Sequence, residues 1–406
     1  MSAVRSISDA ERRARLSVRH HLAPSKKAPD VVAVADRLVG LHATDPATVF
    51  LAAAARMKKL AVADVERDLY DDRSLVRTLC MRRTMFVVPV DVVPVVQAAV
   101  TDALVPVERK RVVGIIEESG IARDGVRWLR QAEAETMRAI EAAGEVTGAE
   151  LTKLVPRLRK QIPYGEGKTW AGTMGMTTRV LFLLSCEQRV VRGRPQGSWT
   201  STRYRWAPMT DWLPDGIPAL KGDEARAELV RRWLAAFGPG TVADIKWWTG
   251  WPLGQVRGAI AALDTVEVEL ESGASGVVLA GDEARVRAPK PGAALLPCLD
   301  PTTMGWAERD WYLGAHKAAL FDRNGNAGPT VWWDGRIVGG WTQRKDGEVV
   351  CRVLDDIGAD GVRAVEREVD RLQSWLGGVV ITPRFPTPLD ARLRRQCVCL
   401  DRHITS

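Results

Sequence analysis

The chain has 406 residues, 46% of them hydrophobic, with 58 Lys and Arg against 50 Asp and Glu, a net charge of +8 and a pI near 9.3. That length is too great for one core and predicts three or four folded units, while so modest a charge excess matters through its distribution rather than its sum. Six scattered cysteines without a C-x-x-C pair and only five histidines argue against a structural zinc, and the lack of a signal region or an eighteen-residue apolar run predicts a soluble, reduced, cytoplasmic protein without a membrane span.

Ser8 with Asp9 and Glu11 reads as the N-cap and acidic first turn of a helix over 8–20. Val31, Val34, Leu38 and Leu41 fall on one stripe of a second helix, 30–41. Pro46 biases Asp45 away from the α region, so the chain leaves the helix there before another helix over 46–59. Val76 to Pro89 reads as a short helix running into a strand, and helices followed by a strand predict a winged-helix unit over 1–120. In 121–215 a helix from Leu129 to Ala143 stops at Gly144, and Thr147 and Glu150 form a capping box. A helix over 170–187 follows. Alternation of Thr202, Tyr204 and Trp206 against Arg203 and Arg205 then gives a β-hairpin over 189–206.

The third unit, 216–290, runs helices over 223–237, 241–248 and 252–263 into a two-stranded wing at 265–289. Beyond 291 the pattern turns to strands: Leu295–Pro297, Thr330–Trp341 around an Asp334-Gly335 turn, and Glu348–Leu354. A helix over 362–376 and a last strand, Val379–Ile381, complete it. The predicted fold class is α+β: three tandem winged-helix units, 1–120, 121–215 and 216–290, plus a C-terminal β-barrel-like domain, 291–406.

Between Gln188 and Thr210 stand five arginines and no acidic residue, with Trp199 at the turn and Tyr204 and Trp206 interleaved. Guanidinium forks pair with phosphates and an aromatic tip can wedge between bases, so Arg192, Arg194, Trp199, Arg203 and Arg205 are candidate DNA contacts. A solvated sheet edge protected by charge is the plainer alternative. Arg82 and Arg83, with Lys153, Arg157, Arg159, Lys160 and Lys168, can extend the basic surface. The third wing carries Glu267, Glu269, Glu271, Asp282 and Glu283, which repel phosphate, and its Trp247, Trp248 and Trp251 read as core. Gly165-Glu166-Gly167-Lys168-Thr169 is not a phosphate loop, because Ile162 stands where the pattern needs glycine.

His42 and Thr44 flank Ala43 where the apolar helix stops, and on extended backbone they point the same way. A neutral imidazole can take a proton from water, and a hydroxyl can orient that water. Equally, His42 can satisfy helix carbonyls while Thr44 or Asp45 caps the helix beginning near Pro46.

Taken together, Leu38-Val39-Gly40-Leu41-His42-Ala43-Thr44, Leu75-Val76-Arg77-Thr78 to Val87-Val88 and Thr241 to Gly250 resemble the AlkZ-like winged-helix DNA glycosylases. So do Leu295-Leu296-Pro297 with Asp300, Gly305 and Arg309, and Asn326 to Trp341. The resemblance covers nearly the whole chain. It implies tandem winged helices and a β-barrel around a DNA-binding concavity, and removal of alkylated or bulky, adducted bases or unhooking of interstrand crosslinks. The family's Gln-apolar-Gln or Gln-apolar-Asp motif falls on His42 and Thr44, both changed in identity. The resemblance therefore implies a monofunctional DNA glycosylase acting on alkylated or adducted purines in double-stranded DNA, cytoplasmic and nucleoid-associated. It needs no metal, nucleotide or redox cofactor. The alternatives are a non-catalytic winged-helix regulator or lesion binder, and a scaffold for protein partners.

Overall fold

Ser8 Oγ accepts from the Glu11 backbone N–H at 3.2 Å and starts the first helix, Asp9–Arg19. The computed structural model describes residues 4–165, 167 and 171–395. It is a mixed α+β chain that divides into two units, Met1–Val65 with Arg226–Ser406, and Glu66–Ala225. That division differs from the four segments 1–120, 121–215, 216–290 and 291–406. The reason lies in the amino-terminal strand Arg5–Ile7, which pairs in parallel with Thr265–Leu270 as the third strand of that wing. Ile7 packs there with Val268, Leu270 and Val278. As modules smaller than the two units, the four segments are a proposal.

In the first unit the order of three helices and a hairpin holds over 222–279. Helices Gly222–Phe237, Val242–Thr249 and Leu253–Ala261 lead into antiparallel Thr265–Leu270 and Ser275–Leu279. Thr241 and Asp244 cap the middle helix reciprocally. Trp248 and Trp251 are buried as expected, and Trp247 lies under the Arg309 guanidinium at 4.6 Å.

Four strands follow in chain order as an antiparallel meander: Ala293–Leu296, Thr330–Trp333, Arg336–Gln343 and Val349–Val353. Asp334 and Gly335 both take left-handed φ, 45° and 85°, which matches the twist a tight hairpin needs. This sheet is open, so the expected barrel does not form. Val379–Ile381 adds no strand to close it. Instead, the Gln343 side chain accepts from Ile381 N at 2.7 Å and donates to Val379 O at 3.0 Å, and Pro383 has no N–H for a ladder. The Gly358–Leu376 helix packs on the sheet, and an unforeseen helix, Pro388–Arg395, packs beside Arg336–Gln343.

The second unit contains an antiparallel hairpin, Leu75–Leu79 with Met85–Pro89, where the sequence suggested a helix running into a strand. A short apolar run fits either period, and the wholly buried Leu75–Leu79 resolves it as a strand. The Gly125–Ala143 helix, the Thr147–Glu150 capping box and the Met176–Cys186 helix surround a core of Leu129, Ile140, Leu151, Val180 and Leu184. Val146–Thr147, Tyr204–Pro208 and Val190–Pro195 form a three-stranded sheet in that spatial order. A short hairpin, Gln161–Tyr164 with Gly172–Gly175, flanks the glycine-rich stretch, whose Glu166, Lys168 and Thr169 lie outside the described residues, as do Cys397, Cys399 and His403. No single described helix is long and apolar enough to cross a membrane.

One buried network ties the first unit together. His20 Nε2 lies 3.2 Å from Ala236 O, which can only accept, so Nε2 carries the proton. Nδ1 then accepts from Thr302 Oγ1 at 2.8 Å, whose oxygen accepts from Arg56 Nη2 at 2.8 Å. Burial, reinforced by the Arg56 charge, holds the His20 pKa well below 6.5. Below pH 6.5 the unfolded chain binds a proton that the folded chain refuses. Stability is thus fully present above that pH and falls beneath it, by up to about 1.4 kcal/mol per pH unit. Urea midpoints should drop from pH 7.5 to 5.5, and His20→Gln, which keeps donor and acceptor without titrating, should flatten that drop. An equal drop in the variant would remove His20 from the explanation.

Candidate active site and nucleic-acid face

The helix Val31–Arg37 stops one turn short of the expected 41 because Val39 and Gly40 take left-handed φ, 54° and 102°. For a β-branched valine that conformation is strained, at a cost of about 1–3 kcal/mol. It turns the chain into extended Leu41–His42, immediately before the polar segment. The next helix, Pro46–Ala54, is buried at every position, so the segment sits on a rigid core element.

His42 is only 5% exposed, and its Nδ1 faces the Thr44 backbone N–H at 3.5 Å, the long limit of a hydrogen bond. Thr44 is partly exposed, and its Oγ1 is buried without a hydrogen-bond partner among the described residues. Asp45 caps the following helix, accepting from Ala47 N at 3.1 Å. Burial raises the Asp45 pKa, countered in part by N–H groups of Ala47 and Arg384. Its other oxygen lies 3.8 Å from Cys298 Sγ, a thiol that burial pushes up to about 12. Asp45 therefore takes the capping role that sequence left open, and Thr44 does not. A cavity of about 10 Å³, enough for one water, adjoins Asp45, Thr48, Cys298 and Gln343.

Arg384 was not foreseen. Its guanidinium donates to Thr44 O at 3.2 Å, and its side chain is exposed. The only sequence signal was a proline-bracketed arginine, Pro383-Arg384-Phe385-Pro386, more than 330 residues downstream of the motif.

In the second unit the basic hairpin forms as expected, but its residues differ in what they can do. Arg194 is committed to carboxylates, at 3.0 Å from Glu66 and 2.8 Å from Asp71, with its charge over the Tyr70 ring at 5.1 Å. Those acids lie over 120 residues upstream, outside the acid-free window. Arg192 is half-buried, 5.4 Å from the centroids of both Tyr204 and Trp206. Trp199 is 7% exposed, so the expected aromatic tip packs inward and presents no wedge. Arg203 is exposed and Arg205 partly so, and both line an open groove of about 680 Å³ with Arg194, Tyr70, Gln196, Asp71 and Glu145. Arg82 and Arg83 occupy the turn of the Leu75–Pro89 hairpin at left-handed φ, exposed to solvent, with Arg83 ion-paired to Glu108. Of the further basic candidates, Arg157 pairs with Glu135 at 2.8 Å. Among the described residues no cluster of three His, Cys, Asp or Glu has the geometry of a metal site.

A sequence profile of the family described as DNA glycosylase AlkZ-like matches residues 35–375. The interstrand DNA cross-link repair glycosylase of Streptomyces sahachiroi is 30% identical over 155 residues, which cover 36% of this chain and 41% of that relative. The chain thus aligns with less than half the length of that curated relative. The solved structure of the Streptomyces sahachiroi DNA glycosylase AlkZ superposes with a TM-score of 0.69 over 93% of this chain and 99% of that one. At 22% identity it is evidence of a shared fold.

Proposed function

Because the chain belongs to the AlkZ-like DNA glycosylase family, we propose that it is a monofunctional glycosylase hydrolysing the N-glycosidic bond of alkylated or bulky-adducted purines in double-stranded DNA, with His42 and Thr44 at its centre. The observation that carries this reading is the Thr44 hydroxyl, buried beside His42 without a hydrogen-bond partner among the described residues. An orphaned buried hydroxyl costs about 1–3 kcal/mol, and a water or substrate group held there removes that cost.

The chemistry asked of the pair is modest. An N7-alkylated purine already carries positive charge, so the C1′–N9 bond breaks with its electron pair leaving on the base. Water then adds to C1′ of the oxocarbenium-like sugar while His42 takes its proton and Thr44 orients it. Asp45, spent on its cap, has no assigned part. This reading assigns no lysine a Schiff-base part, so the product it expects is an intact abasic site. The test is incubation of methylated duplex with the protein: 7-methylguanine should be released without strand cleavage until mild alkali is added. Strand scission in step with release overturns the monofunctional reading, and no release overturns the glycosylase reading.

Arg203 and Arg205 are our proposed phosphate contacts, with Arg82, Arg83 and Arg192 secondary. Arg194 serves mainly to hold the hairpin against Glu66 and Asp71, and Trp199 is a core residue. Arg203→Ala with Arg205→Ala should weaken binding to every duplex sequence and reduce the slope of log K against log salt by about 0.9 for each phosphate no longer neutralised. Arg194→Ala should change that slope less. A double variant with the wild-type slope removes the hairpin from the interface. Release of 7-methylguanine separates the glycosylase from the second reading, a regulator or lesion binder, which predicts the same salt slope without release.

A further inference from the structure

We infer that Arg384 clamps a backbone phosphate of the lesion-bearing strand against the His42–Thr44 segment. The inference rests on the glycosylase reading above for the identity of the strand. Arg384 lies beyond the residues matched by the family profile, which ends at 375.

Three observations carry it. First, Arg384 is tied to the segment: its guanidinium donates to Thr44 O at 3.2 Å, and its backbone N–H and its charge both favour the ionised form of Asp45. Second, the tie leaves most of the group unspent. A guanidinium has five N–H donors in a planar fork, and the Thr44 carbonyl takes one. The side chain is exposed, and among the described residues no carboxylate forms an ion pair with the guanidinium. Third, the loop is preorganised. Ile381 is fixed by Gln343 at 2.7 Å, Thr387 caps the following helix through Asp390 N at 3.3 Å, and Pro383, Pro386 and Pro388 restrict the backbone between and beside them.

A guanidinium charge beside Thr44, only partly balanced by the Asp45 carboxylate, opposes the oxocarbenium-like sugar that the proposed reaction builds. A phosphate seated on the same guanidinium cancels that opposition and fixes the sugar attached to it, because phosphate and C1′ belong to one nucleotide unit. The fork geometry suits phosphate oxygens, which accept two parallel N–H bonds, whereas a lysine supplies charge without that geometry.

The experiment measures duplex affinity against salt and single-turnover release of 7-methylguanine for wild type, Arg384→Ala and Arg384→Lys, all at matched thermal stability. Arg384→Ala should reduce the log–log salt slope by about 0.9 and slow release at saturating protein. Arg384→Lys should restore the slope while release stays slow. An unchanged slope in Arg384→Ala overturns the phosphate clamp, whatever the rate does, since a residue acting only through the Thr44 carbonyl alters rate alone. A wild type that binds duplex but releases no base defeats the glycosylase reading instead, and the slope still decides whether Arg384 touches phosphate.

Discussion

His42→Ala is expected to slow single-turnover release of 7-methylguanine from methylated duplex by about 10²- to 10⁴-fold, the range that general acid–base groups supply. Duplex affinity and its salt slope should stay at the wild-type values, since the imidazole is 5% exposed and phosphate contacts are assigned elsewhere. The second partner separates two versions of the site. If Thr44 only orients water, Thr44→Val should cost much less than His42→Ala, and Thr44→Gln, which restores the residue of the family's Gln-apolar-Gln branch, should keep or raise the rate. Release from His42→Ala at the wild-type rate removes His42 from the chemistry.

His42 and Thr44 stand out because two polar side chains interrupt an apolar run, while the extended strand covers Leu41–His42 and ends before Ala43. The capping question stayed open in sequence because Thr44 and Asp45 are both good N-caps. The backbone decided it, with Asp45 at φ −99° and ψ 123° accepting from Ala47. Arg384 was invisible, since nothing local tells that a loop some 340 residues on returns to Thr44 O. The same distance hid the partners of Arg194: an acid-free window says nothing about Glu66 and Asp71 folding onto it.

The fold shows a parallel contrast. Local grammar was reliable where it is a matter of hydrogen-bonding geometry, as in the Thr147–Glu150 capping box and the Asp334-Gly335 turn. It failed where a short apolar run fits two periods, at Leu75–Leu79, and where closure depends on a remote side chain. Gln343 takes up Val379 and Ile381 through its amide, so the segment reads as a strand and forms none. The parallel partner of Arg5–Ile7 is likewise more than 250 residues away.

The largest stability effect is expected at Arg56, where the helix that carries the candidate site ends. Its five donors are all engaged: Nε on His20 O at 3.1 Å, Nη1 on Ala52 O and Asp300 Oδ2 at 2.9 Å each, and Nη2 on Asp300 Oδ1 at 2.7 Å and Thr302 Oγ1 at 2.8 Å. Both Arg56 and Asp300 are wholly buried. Arg56→Ala leaves the Asp300 carboxylate in the core without its cation, which costs about 3–5 kcal/mol, a large share of the ~5–15 kcal/mol that holds a typical domain. Arg56→Met with Asp300→Leu removes both charges and should cost far less, because neither desolvated ion remains. Urea unfolding of the three proteins checks the ordering, and a double variant as unstable as Arg56→Ala would mean that the packing, not the stranded charge, dominates. The consequence reaches the site through one stretch of chain. Residues 298–302 hold the helix at its far end by Asp300 and near its start by the Thr48 hydroxyl, which donates to Cys298 O at 3.2 Å. The double variant, folded but without the far anchor, should therefore release 7-methylguanine more slowly than wild type while binding duplex as tightly, because helix position governs where His42 and Thr44 stand and not how phosphates are held.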